Sequence, residues 1–200
     1  MRKLLTIAAA MILFAVSANA QTYVNIGYGL SRDKTTFGSM DTDASNSNAI
    51  FAGVSHNFGI GGDFGVEPGL NYLHNFSNIS DDGLTVKNRY HGIQVPVLFN
   101  YAIVPSSNFT FKFLAGPAVS LGLSDKSTTY AGGVKGYTIN NYKDGSYRRL
   151  GLSASLGLAA ELYDIIRLKI GYDFGLTDLQ KSDDICYKQN MLTFSLGYIF

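Results

Sequence analysis

Residues 166–176 read Ile-Arg-Leu-Lys-Ile-Gly-Tyr-Asp-Phe-Gly-Leu. Ile166, Leu168, Ile170, Tyr172, Phe174 and Leu176 share one parity, and Arg167, Lys169, Gly171, Asp173 and Gly175 share the other. A period of two over this length is a β-strand, because successive side chains leave the pleat on opposite faces. One face is wholly apolar; the other is small or charged. The pattern returns at the end of the chain, where Leu192, Phe194, Leu196, Tyr198 and Phe200 alternate with Thr193, Ser195, Gly197 and Ile199. Upstream, Leu150, Leu152, Ala154, Leu156, Leu158 and Ala160 alternate with Gly151, Ser153, Ser155, Gly157, Ala159 and Glu161. Five further stretches, near 22–31, 49–58, 63–75, 88–101 and 109–123, bring the strands to eight. In the fourth of these, Ile93, Val95, Val97, Phe99 and Tyr101 share a face; Pro96, which cannot donate to a ladder, is expected to mark a bulge or bend.

The connections, near 32–48, 59–62, 76–87, 102–108, 124–146, 162–165 and 177–188, run long, short, long, short, long, short, long. The long ones are rich in Asp, Ser, Thr, Asn, Lys and Gly. That alternation matches the short periplasmic turns and long external loops of outer-membrane barrels. The predicted fold is all-β: one eight-stranded antiparallel up-and-down transmembrane β-barrel, with both ends of the mature chain periplasmic.

The N-terminus agrees with export. Arg2 and Lys3 precede an apolar run from Leu4 to Val16, and Ala18-Asn19-Ala20 is a small-x-small cleavage site. Residues 1–20 are read as a removed signal peptide and 21–200 as the barrel domain, beginning at Gln21. Cys186 is the single cysteine, so a lipid anchor at the mature N-terminus, an internal disulfide framework and a Cys-based zinc cluster are not expected. Two of the 16 Lys+Arg residues and no acidic residue lie in the signal, so 14 basic residues face 15 acidic ones in the mature chain. A near-neutral chain carries no electrostatic footprint for nucleic acid. Beyond the signal no stretch has the length of a helical span, so a membrane crossing must be a closed sheet.

The alternative is a soluble barrel with the apolar parity inside, which calls for Lys, Glu and Thr on the other face. The second parity is mainly Gly, Ser, Ala and Asn, which suits a cramped eight-stranded lumen. The outward set is read as carrying aromatics near strand ends: Tyr23, Tyr28, Phe58, Phe64, Tyr72, Phe109, Phe174, Tyr198 and Phe200. Such rings resemble the girdles of a lipid-facing surface.

Four segments resemble the Bacteroidetes outer-membrane β-barrel family, often called PorT-like. They are Val66-Glu67-Pro68-Gly69-Leu70-Asn71-Tyr72; Ile93 to Tyr101, with Gln94 where the family commonly has an acid; Gly171 to Leu179; and Thr193 to Phe200. The resemblance spans the mature chain and implies the barrel fold. It leaves the role open, since a fold is a poor warrant for activity.

The inward parity collects Glu67, Lys112, Arg149, Glu161, Arg167, Lys169 and Asp173, four basic and three acidic. They are expected to form an ion-pair network filling the lumen, because buried charges persist when paired; a narrow conduit is the alternative. Tyr130, Tyr137, Tyr142 and Tyr147 lie among Gly and Lys residues in the 124–146 connection. They read either as an adaptable contact surface for a protein or other surface ligand, or as stiffeners of an extended hairpin. Arg148 is a candidate for lipopolysaccharide phosphates, with phospholipid completing the lipid surroundings. Catalysis has thin support. Ser55 and His56 point to opposite faces, leaving His74 with Ser77 or Asp81-Asp82 as the remaining arrangement. Asp41-Thr42-Asp43 and Asp183-Asp184 lack calcium-loop spacing. No cofactor and no metal are expected. The function read from sequence is a non-enzymatic structural, adhesive or accessory role; help with secretion or small-molecule passage is second, and a lipid-modifying enzyme third.

Overall fold

The computed structural model describes residues 21–37, 40–181 and 185–200. The expected signal peptide, residues 1–20, and Asp183-Asp184 lie outside the described residues, as do the side chains of Asp41, Thr42 and Asp43. The strands are β1 (Gln21–Phe37), β2 (Met40–Gly61), β3 (Phe64–Asp81), β4 (Leu84–Ser106), β5 (Phe109–Ala131), β6 (Val134–Asn140), β7 (Leu150–Leu162), β8 (Ile166–Gly175) and β9 (Ile185–Ile199). Eight of them form a closed antiparallel ring in the order β1-β2-β3-β4-β5-β7-β8-β9, with β9 returning to β1. β6 stands outside the ring and pairs with the far end of β5, from Lys126 to Ala131. Ring closure has a geometric consequence for the lumen: β3 lies opposite β8, and β1 opposite β5.

The pleat decides which parity meets which medium. Ile26 (62% exposed), Phe64 (57%) and Leu156 (53%) stand outside, whereas Arg167 and Glu161 (1% each) and Glu67 (2%) are buried inside. An apolar wall of this extent, continuous around the ring, far exceeds the patches of soluble monomers. The soluble reading, with apolar residues inside, is therefore inverted relative to the structure. Tyr23 departs from its expected place in the outward girdle. It is fully buried in the lumen, on the parity of Asn25 and Ser31, while Val24 beside it faces out.

Strands run further than the alternation suggested. β4 and β5 each have 23 residues, although a tilted crossing needs about 9–11. The expected 76–87 loop is a hairpin whose ladder continues to Asp81↔Leu84. Asp82 and Gly83, at φ 41° and 79°, turn it in the mirror-image geometry that matches strand twist. Gly132-Gly133 (φ 54° and 83°) likewise turn β5 into β6. Pro96 makes no bulge. The β3–β4 and β4–β5 registers pass through it unshifted, and the two β4–β5 shifts fall at His91/Gly92 and Ile103/Ser106 instead. The missing N–H is absorbed where the Gly69↔Pro96 rung drops out of the β3–β4 ladder, and the Pro96 ring fills space beside Gly69.

Candidate functional site

The lumen is closed near the end that carries the short turns. Arg167 on β8 donates from both terminal nitrogens to the two carboxylate oxygens of Glu67 on β3, each at 2.8 Å. Since β3 and β8 are opposite walls, this pair spans a diameter. Lys112 on β5 donates to the Tyr23 hydroxyl on β1 at 2.8 Å, spanning a second diameter. Lys112 also pairs with Glu161 at 2.9 Å and donates to Gln21 at 2.8 Å. The Arg167 guanidinium lies 4.0 Å above the Tyr23 ring, tying the two diameters together. Ser55 donates to Glu67 at 2.8 Å. Two cations and two carboxylates thus cancel, with their hydrogen-bonding capacity largely spent on one another, as buried charge requires. Asp173 accepts from Ser155 at 2.5 Å and Gln94 at 3.0 Å, and it lines a void of about 50 Å³ together with Lys169 and Glu67.

Arg149 is a correction to the expected network. It precedes β7, where the chain is irregular and parity no longer assigns a face. Its guanidinium lies 4.5 Å above the Tyr142 ring and donates to the Gly122 and Leu123 carbonyls at 3.3 Å. Six residues separate it from Ser155, the partner of Asp173, which is about 20 Å of strand.

Above the plug the lumen widens in steps towards the hairpin end. A second void of about 50 Å³ shares Gln94, Asp173 and Met191 with the first. It leads to a cavity of about 380 Å³ with which it shares Asn75, Tyr90 and Gln189. The result is a well, sealed at the bottom by ion pairs.

The four tyrosines in and just after the 124–146 connection separate. Tyr142 turns into the mouth, where Gly122 leaves the space its hydroxyl occupies, and burial raises its pKa above the usual phenol value. Tyr147 packs edge-on against Tyr187 at 5.5 Å and lines the cavity. Tyr130 lies beneath the Lys87 ammonium at 4.4 Å. Tyr137 on β6 is 65% exposed. Arg148, exposed, borders the cavity beside Tyr147, and its N–H donates to the Leu179 carbonyl at 2.7 Å.

Other basic residues occupy the outer wall just beyond the apolar band, and alternation alone did not single them out. Lys87, Arg89 and Lys126 share the face of His74 and His91, which stack at 4.3 Å. Arg89 is held by Ser77 and Asn78 at 3.1 Å. The signal that could have found them is the register of the β3–β4 hairpin, which aligns Phe76 with Arg89 and Arg89 with Lys126. The serine–histidine arrangement does not assemble: His74 Nδ1 meets the Tyr90 carbonyl at 3.1 Å, while Ser77 accepts from Asn88. Ser55 faces in to Glu67, and His56 faces out to Thr22.

Residues 17–181 match the family model described as outer membrane protein beta-barrel domain. Among solved structures, the chain is similar to Ail, the attachment invasion locus protein of Yersinia pestis, in complex with the heparin analogue sucrose octasulfate. The identity is 15% over 90% of this chain and 99% of that one, with a TM-score of 0.53. It is also similar to Neisserial surface protein A, at 13% identity over 90% and 97% of the two chains and a TM-score of 0.52. No curated protein matches the chain by sequence. At such identities these likenesses speak for the fold, an eight-strand barrel of the outer membrane.

Proposed function

We propose that this chain, which belongs to the outer membrane protein beta-barrel domain family, is a non-conducting, non-enzymatic surface protein that binds a partner with its hairpin end. The observation that carries this reading is the pair of ion-bonded diameters, Glu67–Arg167 and Tyr23–Lys112, beneath a cavity that opens between the hairpins. An eight-stranded barrel filled this way has no aqueous path, so passage of solutes or help with secretion would need the diameters to break. In this reading the short turns and both termini are periplasmic and the hairpins project from the cell. Lys87, Arg89 and Lys126 then lie at the level of lipopolysaccharide phosphates, for which guanidinium and ammonium groups are suited. The four segments that resemble PorT-like barrels support placing the chain among the Bacteroidetes members.

The test is adhesion of cells displaying the chain to a surface that carries the partner. Deleting residues 128–143 removes the β5–β6 tip, so the barrel should still shift in mobility on boiling while adhesion falls to background. Adhesion untouched by the deletion would overturn the hairpin reading.

A further inference from the structure

We infer that the well at the hairpin end is a binding site for the end of a neutral carbohydrate. The inference deepens the surface-binding reading and rests on it. The cavity of about 380 Å³ lies in the range of small-ligand sites, roughly 300–1,000 Å³.

Its floor holds two polar atoms without a hydrogen-bond partner among the described residues: Asn75 Oδ1, in a side chain 5% exposed, and Ser47 Oγ, in one 9% exposed. A buried acceptor left unmatched is costly, so such atoms mark where a hydrogen from outside the chain is expected. Tyr90 stands on the same rung as Asn75, and the rest of the lining carries amides, including Asn88 and Gln180, and a further phenol ring, Tyr147. Each amide both donates and accepts, which matches a hydroxyl that does the same. The flat face of a tyrosine offers apolar area to the C–H face of a sugar ring while its hydroxyl stays hydrogen-bonded.

Charge and apolar content narrow the class further. Among the described residues, Asp125 and Arg148 are the charged side chains of the lining and offset one another, and Arg149 lies over Tyr142 at the mouth without lining the well, so the lining offers no cluster of cations to select phosphate or sulfate. Phe76 and Leu179 are its apolar members besides the tyrosines, too little for an acyl chain. A hydroxyl-rich, uncharged ligand fits what remains. The sealed floor means that the ligand enters and leaves by the same mouth, as the terminus of a glycan would.

The experiment is saturation-transfer NMR on the full chain folded in detergent. Glucose, galactose, mannose, N-acetylglucosamine, lactose and maltose serve as neutral probes and sucrose octasulfate as the polyanionic one. Transfer to at least one neutral sugar, with affinity around millimolar, is expected. Asn75→Leu, which removes the floor acceptor, should weaken it about tenfold, and Tyr147→Ala should weaken it while leaving the floor intact. Each variant is first required to show the heat-dependent mobility shift of a folded barrel; Ser47→Ala replaces Asn75→Leu if that variant fails. No transfer to any neutral sugar, response to sucrose octasulfate alone, or affinity indifferent to these substitutions would overturn the inference. A barrel that adheres through its hairpins yet ignores every sugar overturns this inference and spares the broader reading; a barrel that adheres equally without residues 128–143 overturns that reading instead.

Discussion

Glu67 and Arg167, one hundred residues apart in the chain, meet across the full width of the barrel with both hydrogen bonds at 2.8 Å. Neither is accessible to water, and the Arg167 side chain also rests on Tyr23. Removing Arg167 leaves Glu67 charged and buried without its ion partner, and removing Glu67 leaves Arg167 only the longer 3.6 Å contact to Glu161; breaking a buried pair typically costs about 3–5 kcal/mol. Glu67→Gln and Arg167→Met should each lower the urea midpoint of the detergent-folded barrel by that order. The double variant Glu67→Leu, Arg167→Met should recover much of the loss, because no orphaned charge remains. A double variant as weak as the sum of the singles would mean that the pair holds the walls together in some other way.

The same two diameters decide conduction. The parent protein should show no steady single-channel steps in a planar bilayer. Tyr23→Ala, Glu67→Ala and Arg167→Ala combined should open brief steps, since the small voids of about 50 Å³ above the plug would join the short-turn end of the lumen. Steady conductance by the parent would show that the ion pairs part readily in the membrane.

How much of this was legible beforehand differs by level. The alternation at 166–176 needs no partner to be read, because one face of that strand meets lipid and the other a packed lumen. Beyond the membrane both faces meet water, so the contrast fades, and stretches such as Ser127-Thr128-Thr129-Tyr130 look like loop although they pair in register with β4. Tyr23 was misplaced because aromatic character alone does not assign a face; its parity with Asn25, Gly27 and Gly29 does. Arg149 was misplaced for the opposite reason, since parity was extended past the start of β7. The charged residues of the lumen could be gathered from parity, but who meets whom depends on ring closure. The unsatisfied floor atoms of Asn75 and Ser47 are visible in three dimensions alone.

The outer basic face supplies a lipid test. Lys87→Glu, Arg89→Glu and Lys126→Glu together replace three cations by anions on one wall beyond the apolar band. Lipopolysaccharide added to the parent should raise its thermal unfolding temperature in detergent, and the gain should shrink at high salt, which screens exposed charge. The triple variant should lose the gain while keeping its fold. An equal gain in parent and variant would move the lipid contact to another face of the barrel.

Glycine at position 116 is required by the approach of two strands rather than by backbone freedom. A Cβ there would lie 2.1 Å from the Val97 carbonyl oxygen and 3.0 Å from the Leu98 Cα, both backbone atoms that a side-chain rotation cannot move. This is the stretch where the β4–β5 ladder has no paired rungs between Pro96↔Ala118 and Phe99↔Ala115. Pro117 has no N–H to donate, so the strands are held there by packing at close range. Gly116→Ala should force the strands apart and cost about 1–3 kcal/mol, the usual range for overpacking. The cost would appear as a lower urea midpoint and a smaller heat-shifting fraction after refolding. Gly59→Ala is the matched control, because its added Cβ meets nothing within 4 Å. If the two variants fold alike, the close contact at 116 relaxes without penalty, and the interruption of the ladder must be ascribed to Pro117 alone.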